Sequence, residues 1–211
     1  MSFKLFDLGV IAYQQAWELQ KSLFQDVACG RLSAGVILCQ HPAVITVGRS
    51  AKKENILADP AALKSRGIAV YDVERGGDVT YHGPGQLLVY PIVNLAHVKK
   101  DIRFYIRLLE ETGLALLAAF GVTGLRKAGA SGVWVGNQKI ASLGIAIKQW
   151  IAYHGLAINV KNDDLSNFSL IRPCGMDITM TSLEGVLQRE VSIIQVKQML
   201  TEDFLRRRLS L

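Results

Sequence analysis

Three kinds of side chain in this 211-residue sequence could carry covalent or proton-transfer chemistry: one thiol, one amine and a pair of imidazoles. Cys174 lies in Arg172-Pro173-Cys174-Gly175-Met176, where proline before and glycine after predict a turn. A glycine neighbour exposes the thiol and leaves backbone N–H groups available to stabilise an oxyanion. A nucleophilic thiol must ionise, and a free cysteine sits near pKa ~8.5, so it needs a positive or basic neighbour. The candidates are His82, His154 and Lys139. Lys139 begins the otherwise apolar run Ile140 to Ile147. It reads either as a reactive amine or as a lysine that keeps a hairpin edge soluble. His154 precedes Gly155-Leu156-Ala157-Ile158-Asn159 and reads either as a base or as a hydrogen-bonded strand histidine. Sequence spacing alone sets neither of them beside Cys174.

The densest cluster of special residues is Arg75-Gly76-Gly77-Asp78-Val79-Thr80-Tyr81-His82-Gly83-Pro84-Gly85-Gln86. Its glycines let the backbone approach a ligand closely. Arg75, Thr80, Tyr81, His82 and Gln86 supply polar groups of different shapes, so this segment reads as a binding loop between apolar strands rather than a plain connection. It is neither a phosphate loop with Gly-Lys-Ser/Thr nor a Gly-x-Gly-x-x-Gly dinucleotide fingerprint. Small residues at Ala141, Ser142, Gly144, Ala146, Gly155 and Ala157 either leave an apolar slot suited to an acyl chain or simply allow close sheet packing.

These groups need elements to position them. Helical spacing covers Ala12–Val27, and Asp59 with Pro60 starts a short helix to Lys64. Asp101 caps a long helix to Phe120, with Gly121 after its end. A basic amphipathic helix runs over Gln195–Arg208. Strands are expected at Gly35–Cys39, Val44–Val47, Ile68–Val73, Leu87–Val93, Gly132–Val135, Lys139–Lys148 and Trp150–Val160. Gly136-Asn137 is a hairpin signal, and Pro91 places its strand at an edge or a bulge. The expectation is an α+β fold, a single domain over residues 1–211, with helices packed on a mainly antiparallel or mixed sheet.

Composition narrows the class. The chain is 50% hydrophobic and 20% charged, with a net charge of +6, which fits a folded globule. The basic residues are dispersed without nucleic-acid motifs, which argues against nucleic acid and for a partner of negative charge. Three cysteines, an odd number, argue against a disulfide framework and for a reducing compartment. Cys39 sits in an apolar run and reads as core, and no role is apparent for Cys29. The absence of Cys-x-x-Cys argues against a metal or dithiol site. No targeting or spanning segment is apparent, so a cytoplasmic protein without a membrane partner is expected.

The motifs together resemble the lipoyl(octanoyl) transferases, the lipoate-protein ligase B type. Arg75 to Tyr90, RGGDVTYHGPGQLLVY, is similar to that family's signature, and KIASLGI from Lys139 is similar to its second motif. His154-Gly-Leu-Ala-Ile-Asn-Val160 and Pro173-Cys174-Gly175, with Thr181-Ser-Leu following, are similar to the third and fourth. The resemblance implies the fold of the biotin and lipoate protein ligases. It implies octanoyl transfer from octanoyl-acyl carrier protein to a specific lysine of a lipoyl domain, the first step of endogenous lipoate synthesis, with no cofactor. The implied acceptors are the lipoyl domains of 2-oxoacid dehydrogenase complexes and the glycine cleavage H protein. Cys174 would carry the acyl thioester and Lys139 would lower its pKa and move protons. Arg75, Gly76, Gly77, Asp78, Val79, Thr80, Tyr81 and His82 would line the acyl site, with Ser142, Leu143 and Gly144 and with Gly155, Leu156 and Ala157. The alternatives are an ATP-dependent lipoate or biotin ligase on the same fold, a Cys-His thioesterase, and a non-catalytic module that binds acyl carrier protein.

Overall fold

The computed structural model describes residues 3–201; the side chain of Cys174 lies outside the description. Two sheets form the frame. The larger has seven strands in the order β1 (Phe3–Val10), β2 (Ala34–Gln40), β6 (Gln86–Asn94), β10 (Ile151–Asn159), β9 (Gln138–Lys148), β8 (Ala130–Val135) and β7 (Leu125–Lys127). Its β1–β2 pair is parallel and the other pairs are antiparallel. The smaller sheet sets β3 (Val44–Val47) between β4 (Ala69–Asp72) and β5 (Val79–His82). The α+β expectation therefore holds.

The central strands of the large sheet are buried on both faces, which explains the near-continuous apolar runs of β2 and β6. On one face, α3 (Ile102–Ala119) and, after the short α4 (Leu183–Leu187), α5 (Ile193–Leu200) pack Tyr105, Leu109, Leu116 and Val196 against Val36, Val89 and Leu156. On the other, α1 (Tyr13–Ala28) sets Leu23, Phe24 and Val27 against Ile37, Leu88 and Tyr90. The caps are as the sequence predicts. Asp59 accepts from Ala61 N at 2.6 Å at the start of α2 (Pro60–Ser65), and Asp101 accepts from Phe104 N at 3.0 Å. Between β8 and β9 the chain turns through Gly136 and Asn137. Among the described residues no helix is long and apolar enough to cross a membrane.

Three departures from the sequence reading matter. Val79–His82, expected within a loop, is the strand β5. The segment Gln195–Arg208 begins earlier, as α5 at Ile193, and its part from residue 202 onward falls outside the described residues. Pro91 is not at an edge, because β6 is flanked by β2 and β10. Its β2 side is continuous, with Pro91 opposite Val36. On the β10 side the pairing passes from Ala152↔Val93 to Leu156↔Val89 with no ladder pair between. Proline brings no N–H to a ladder, and β10 breaks its pairing where it passes Pro91. His154 adopts φ +58° there and donates its backbone N–H to Gln20 Oε1 at 2.9 Å. A helix side chain thus completes the interrupted strand.

Candidate active site

A cavity of about 290 Å³ lies where the two sheets meet. The small sheet contributes Thr80 and His82 of β5 and the turn Arg75–Asp78 before it; the large sheet contributes Ser142–Ile145 of β9 and His154–Ala157 of β10. Leu88 and Tyr90 of β6, Tyr13 of α1, Ile106 of α3, and Gly129, Ala130 and Ser131 also line it, as do Lys139, Pro173 and Met176.

Arg75 ties the sheets together. Its guanidinium is buried and donates to Thr46 O at 2.6 Å and to Thr46 Oγ1 at 3.0 and 3.1 Å. Gly76 N donates to Ile145 O of β9 at 2.8 Å. Glycine is needed at 144 because a Cβ there would lie 2.7 Å from Arg75 Cδ. The small residues of β9 make room for the arginine stem as well as for a slot.

The two histidines of the cavity wall, His82 and His154, are buried. His82 Nδ1 lies 2.6 Å from Gln86 Oε1, and its Nε2 lies 3.5 Å from Thr46 Oγ1. Burial pushes its imidazole down to about 3, reinforced by His41 nearby. His154 is also held below its ordinary value by burial, which outweighs the Glu74 carboxylate 3.5 Å from its Nε2.

Lys139 stands at the start of β9. The stem fits because position 132 is glycine: a Cβ there would lie 2.4 Å from Lys139 Cε, and φ at Gly132 is +132°. Its Nζ lies 5.4 Å from the ring centre of Trp134, over which Lys127 Nζ also sits at 4.6 Å. The backbone of Lys139 takes hold of a distant segment: its N–H donates to Thr179 O, and its carbonyl accepts from Thr181 N, each at 2.9 Å. That segment follows the short 3-10 turn Pro173–Gly175, which contains Cys174. The turn is held from the other side by Arg172 N donating to Asn55 O at 2.8 Å, while Asn55 Nδ2 bonds Asp78.

Of the residues singled out from the sequence, the structure brings Lys139, the Arg75–Thr80 segment with His82, Ser142–Gly144 and Gly155–Ala157 around one cavity. The side chain of Val79 turns to the small-sheet core. Tyr81 does not join the cavity. It faces away, with its hydroxyl donating to Asp164 at 2.9 Å and its ring against Phe168. Strand alternation separates it from Thr80 and His82. The backbone of Cys174 is beside this site; its side chain is outside the described part. Cys39 is buried, with its thiol pushed up to about 12 by burial, and packs as expected. Sequence reasoning missed Tyr13, Tyr90 and Ile106, whose only signal was apolar or aromatic periodicity indistinguishable from core. Among the described residues no group of three or more His, Cys, Asp or Glu side chains could hold a metal ion.

The model of the lipoyl protein ligase A/B catalytic domain matches residues 12–205. The octanoyltransferase of Syntrophotalea carbinolica is 44% identical over 199 residues, covering 94% of this chain and 90% of that one. That of Chloroflexus aurantiacus is 43% identical, covering 92% and 88%. Among solved structures, lipoate-protein ligase A bound with ATP superposes with a TM-score of 0.74 at 18% identity, over 98% of this chain and 85% of that one. The biotin protein ligase of Aquifex aeolicus does so with a TM-score of 0.53 at 12% identity, over 96% and 67%. At those identities the two structures speak for the fold alone.

Proposed function

The chain belongs to the lipoyl protein ligase A/B catalytic-domain family and is an octanoyltransferase, an acyltransferase enzyme; from that premise we propose that it moves the octanoyl group through a thioester on Cys174, with Lys139 managing the protons. The donor is octanoyl-acyl carrier protein and the acceptor is a lysine of a lipoyl domain.

The observation that carries this reading is the docking of the Cys174-bearing segment on the backbone of Lys139 at the mouth of the cavity. Electrostatics supports the choice of base. His82 and His154 are held neutral at physiological pH by burial, so neither offers the positive charge that favours a thiolate. Lys139, as an ammonium, does.

In the first step the Cys174 thiolate attacks the donor's thioester carbonyl. A new C–S bond forms to Cys174, the donor's C–S bond breaks, and the departing thiolate takes a proton from Lys139. In the second step the acceptor lysine's neutral amine attacks the same carbonyl. An amide C–N bond forms, the Cys174 C–S bond breaks, and the proton shed by nitrogen passes to Lys139. One thioester replaces another, and then an amide replaces a thioester, so the sequence runs downhill without ATP.

The test is intact-protein mass spectrometry after mixing with octanoyl-acyl carrier protein alone. The expected product is one octanoyl group, labile to hydroxylamine, on the peptide containing Cys174. An unmodified protein that transfers octanoate only with ATP overturns the reading in favour of a ligase.

A further inference from the structure

Asn159, the last residue of β10, is buried and takes no part in the chemistry above. Its Nδ2 donates to the backbone carbonyl of Thr181 at 2.9 Å, and its Oδ1 accepts from Gln86 Nε2 at 2.9 Å. Gln86 also donates to Tyr81 O, at 3.4 Å, which fixes its amide orientation and leaves its Oε1 to accept from His82 Nδ1. Thr46 Oγ1, already accepting from Arg75, faces the remaining His82 nitrogen. The donors therefore run in one direction, from Arg75 through His82, Gln86 and Asn159 to Thr181. Thr181 N in turn donates to Lys139 O.

We infer that Asn159 is a positioning residue for octanoyl transfer, holding the Cys174-bearing segment in register with Lys139 by donating to the carbonyl of Thr181. The inference rests on the roles given above to Cys174 and Lys139. The segment has a support at each end, Asn55 at Arg172 and Asn159 at Thr181. Loss of the second leaves the run from Thr179 to Thr181 held only by its two backbone bonds to Lys139, so the spacing between thiol and amine is less tightly fixed, and a misplacement near 1 Å costs roughly 100-fold in rate.

Two variants separate positioning from bulk. N159L removes both hydrogen bonds. N159D keeps the size and the acceptor for Gln86 but donates to Thr181 only when its carboxyl is protonated, and burial against a carbonyl raises the pH at which that proton is lost. The titratable groups on the packed elements are His82 on β5, Lys139 on β9, Lys161 just beyond β10 and, paired with it, Glu184 on α4. All are shared with wild type, so the ratio of variant to wild type isolates the new carboxyl.

The measurement is the rate of Cys174 acylation by octanoyl-acyl carrier protein, with thermal unfolding alongside. N159L is expected to lose about 100-fold in kcat with KM changed by no more than about twofold. N159D is expected to approach wild type at the acid end of a series from about pH 5.5 to 8.5 and to fall away as pH rises. Wild-type rates in N159L, or an N159D-to-wild-type ratio that does not move with pH, overturn the inference. Acylation of the wild-type chain at a residue other than Cys174 overturns the nucleophile reading instead.

Discussion

At the scale of single residues, the site depends on which buried groups carry charge. Burial leaves the two histidines nearest the cavity uncharged, and Gly132 clears a channel for the stem of Lys139. K139M keeps the length and the apolar stem but loses the amine, while His82 and His154 remain. Octanoyl transfer is expected to fall by about 10²–10⁴-fold, the range of a lost acid–base group, with the unfolding midpoint nearly unchanged. Single-turnover transfer measures this, and full activity would remove Lys139 from the mechanism. The sequence disclosed Lys139 because a charge opening an apolar strand is conspicuous. Spacing alone could not choose among Lys139, His82 and His154, since that choice depends on burial; the family resemblance named Lys139.

At the scale of elements, the interrupted pairing of β6 and β10 is the main surprise. Proline normally marks an edge or a bulge; Pro91, which brings no N–H to a ladder, instead sits inside the sheet where the β10 pairing is interrupted, and Gln20 Oε1 of α1 accepts from the His154 N–H there. Q20L leaves the His154 N–H buried without a partner, which costs about 1–3 kcal/mol. Denaturant unfolding should show a lower midpoint with an unchanged slope; an unchanged midpoint would mean that the N–H has found another acceptor. Helix caps and the Gly136-Asn137 hairpin were legible because their signals are local. The hairpin joining β9 to β10 was not, since Gln149 and Trp150 take φ of +53° and +62° without the glycine or asparagine such turns favour. Reading β5 as loop also hid the alternation that removes Tyr81 from the cavity.

At the scale of the whole molecule, buried neutral histidines tie stability to pH. His41 is pushed down to about 4 and His82 to about 3, each chiefly by burial. In the unfolded chain both titrate near ~6.5. Above that value neither state is protonated and the fold keeps its full stability. As pH falls from about 6.5 toward 4, the unfolded chain binds protons that the folded one refuses, and stability drops by a few kcal/mol, as an order of magnitude. Thermal midpoints should be flat from about pH 7 to 8 and decline below about 6; a midpoint unchanged at pH 4 would mean the imidazoles are not held neutral. The order of the large sheet, β1-β2-β6-β10-β9-β8-β7, has a further consequence for biosynthesis. A nascent chain emerges N-terminus first, and β6, apolar along nearly its whole length, leaves the ribosome well before the β10 strand that will cover its second edge. The central sheet therefore cannot close until residue 159 is outside the tunnel, and until then the growing polypeptide presents a sticky strand that a chaperone, or a neighbouring copy on the same message, can seize.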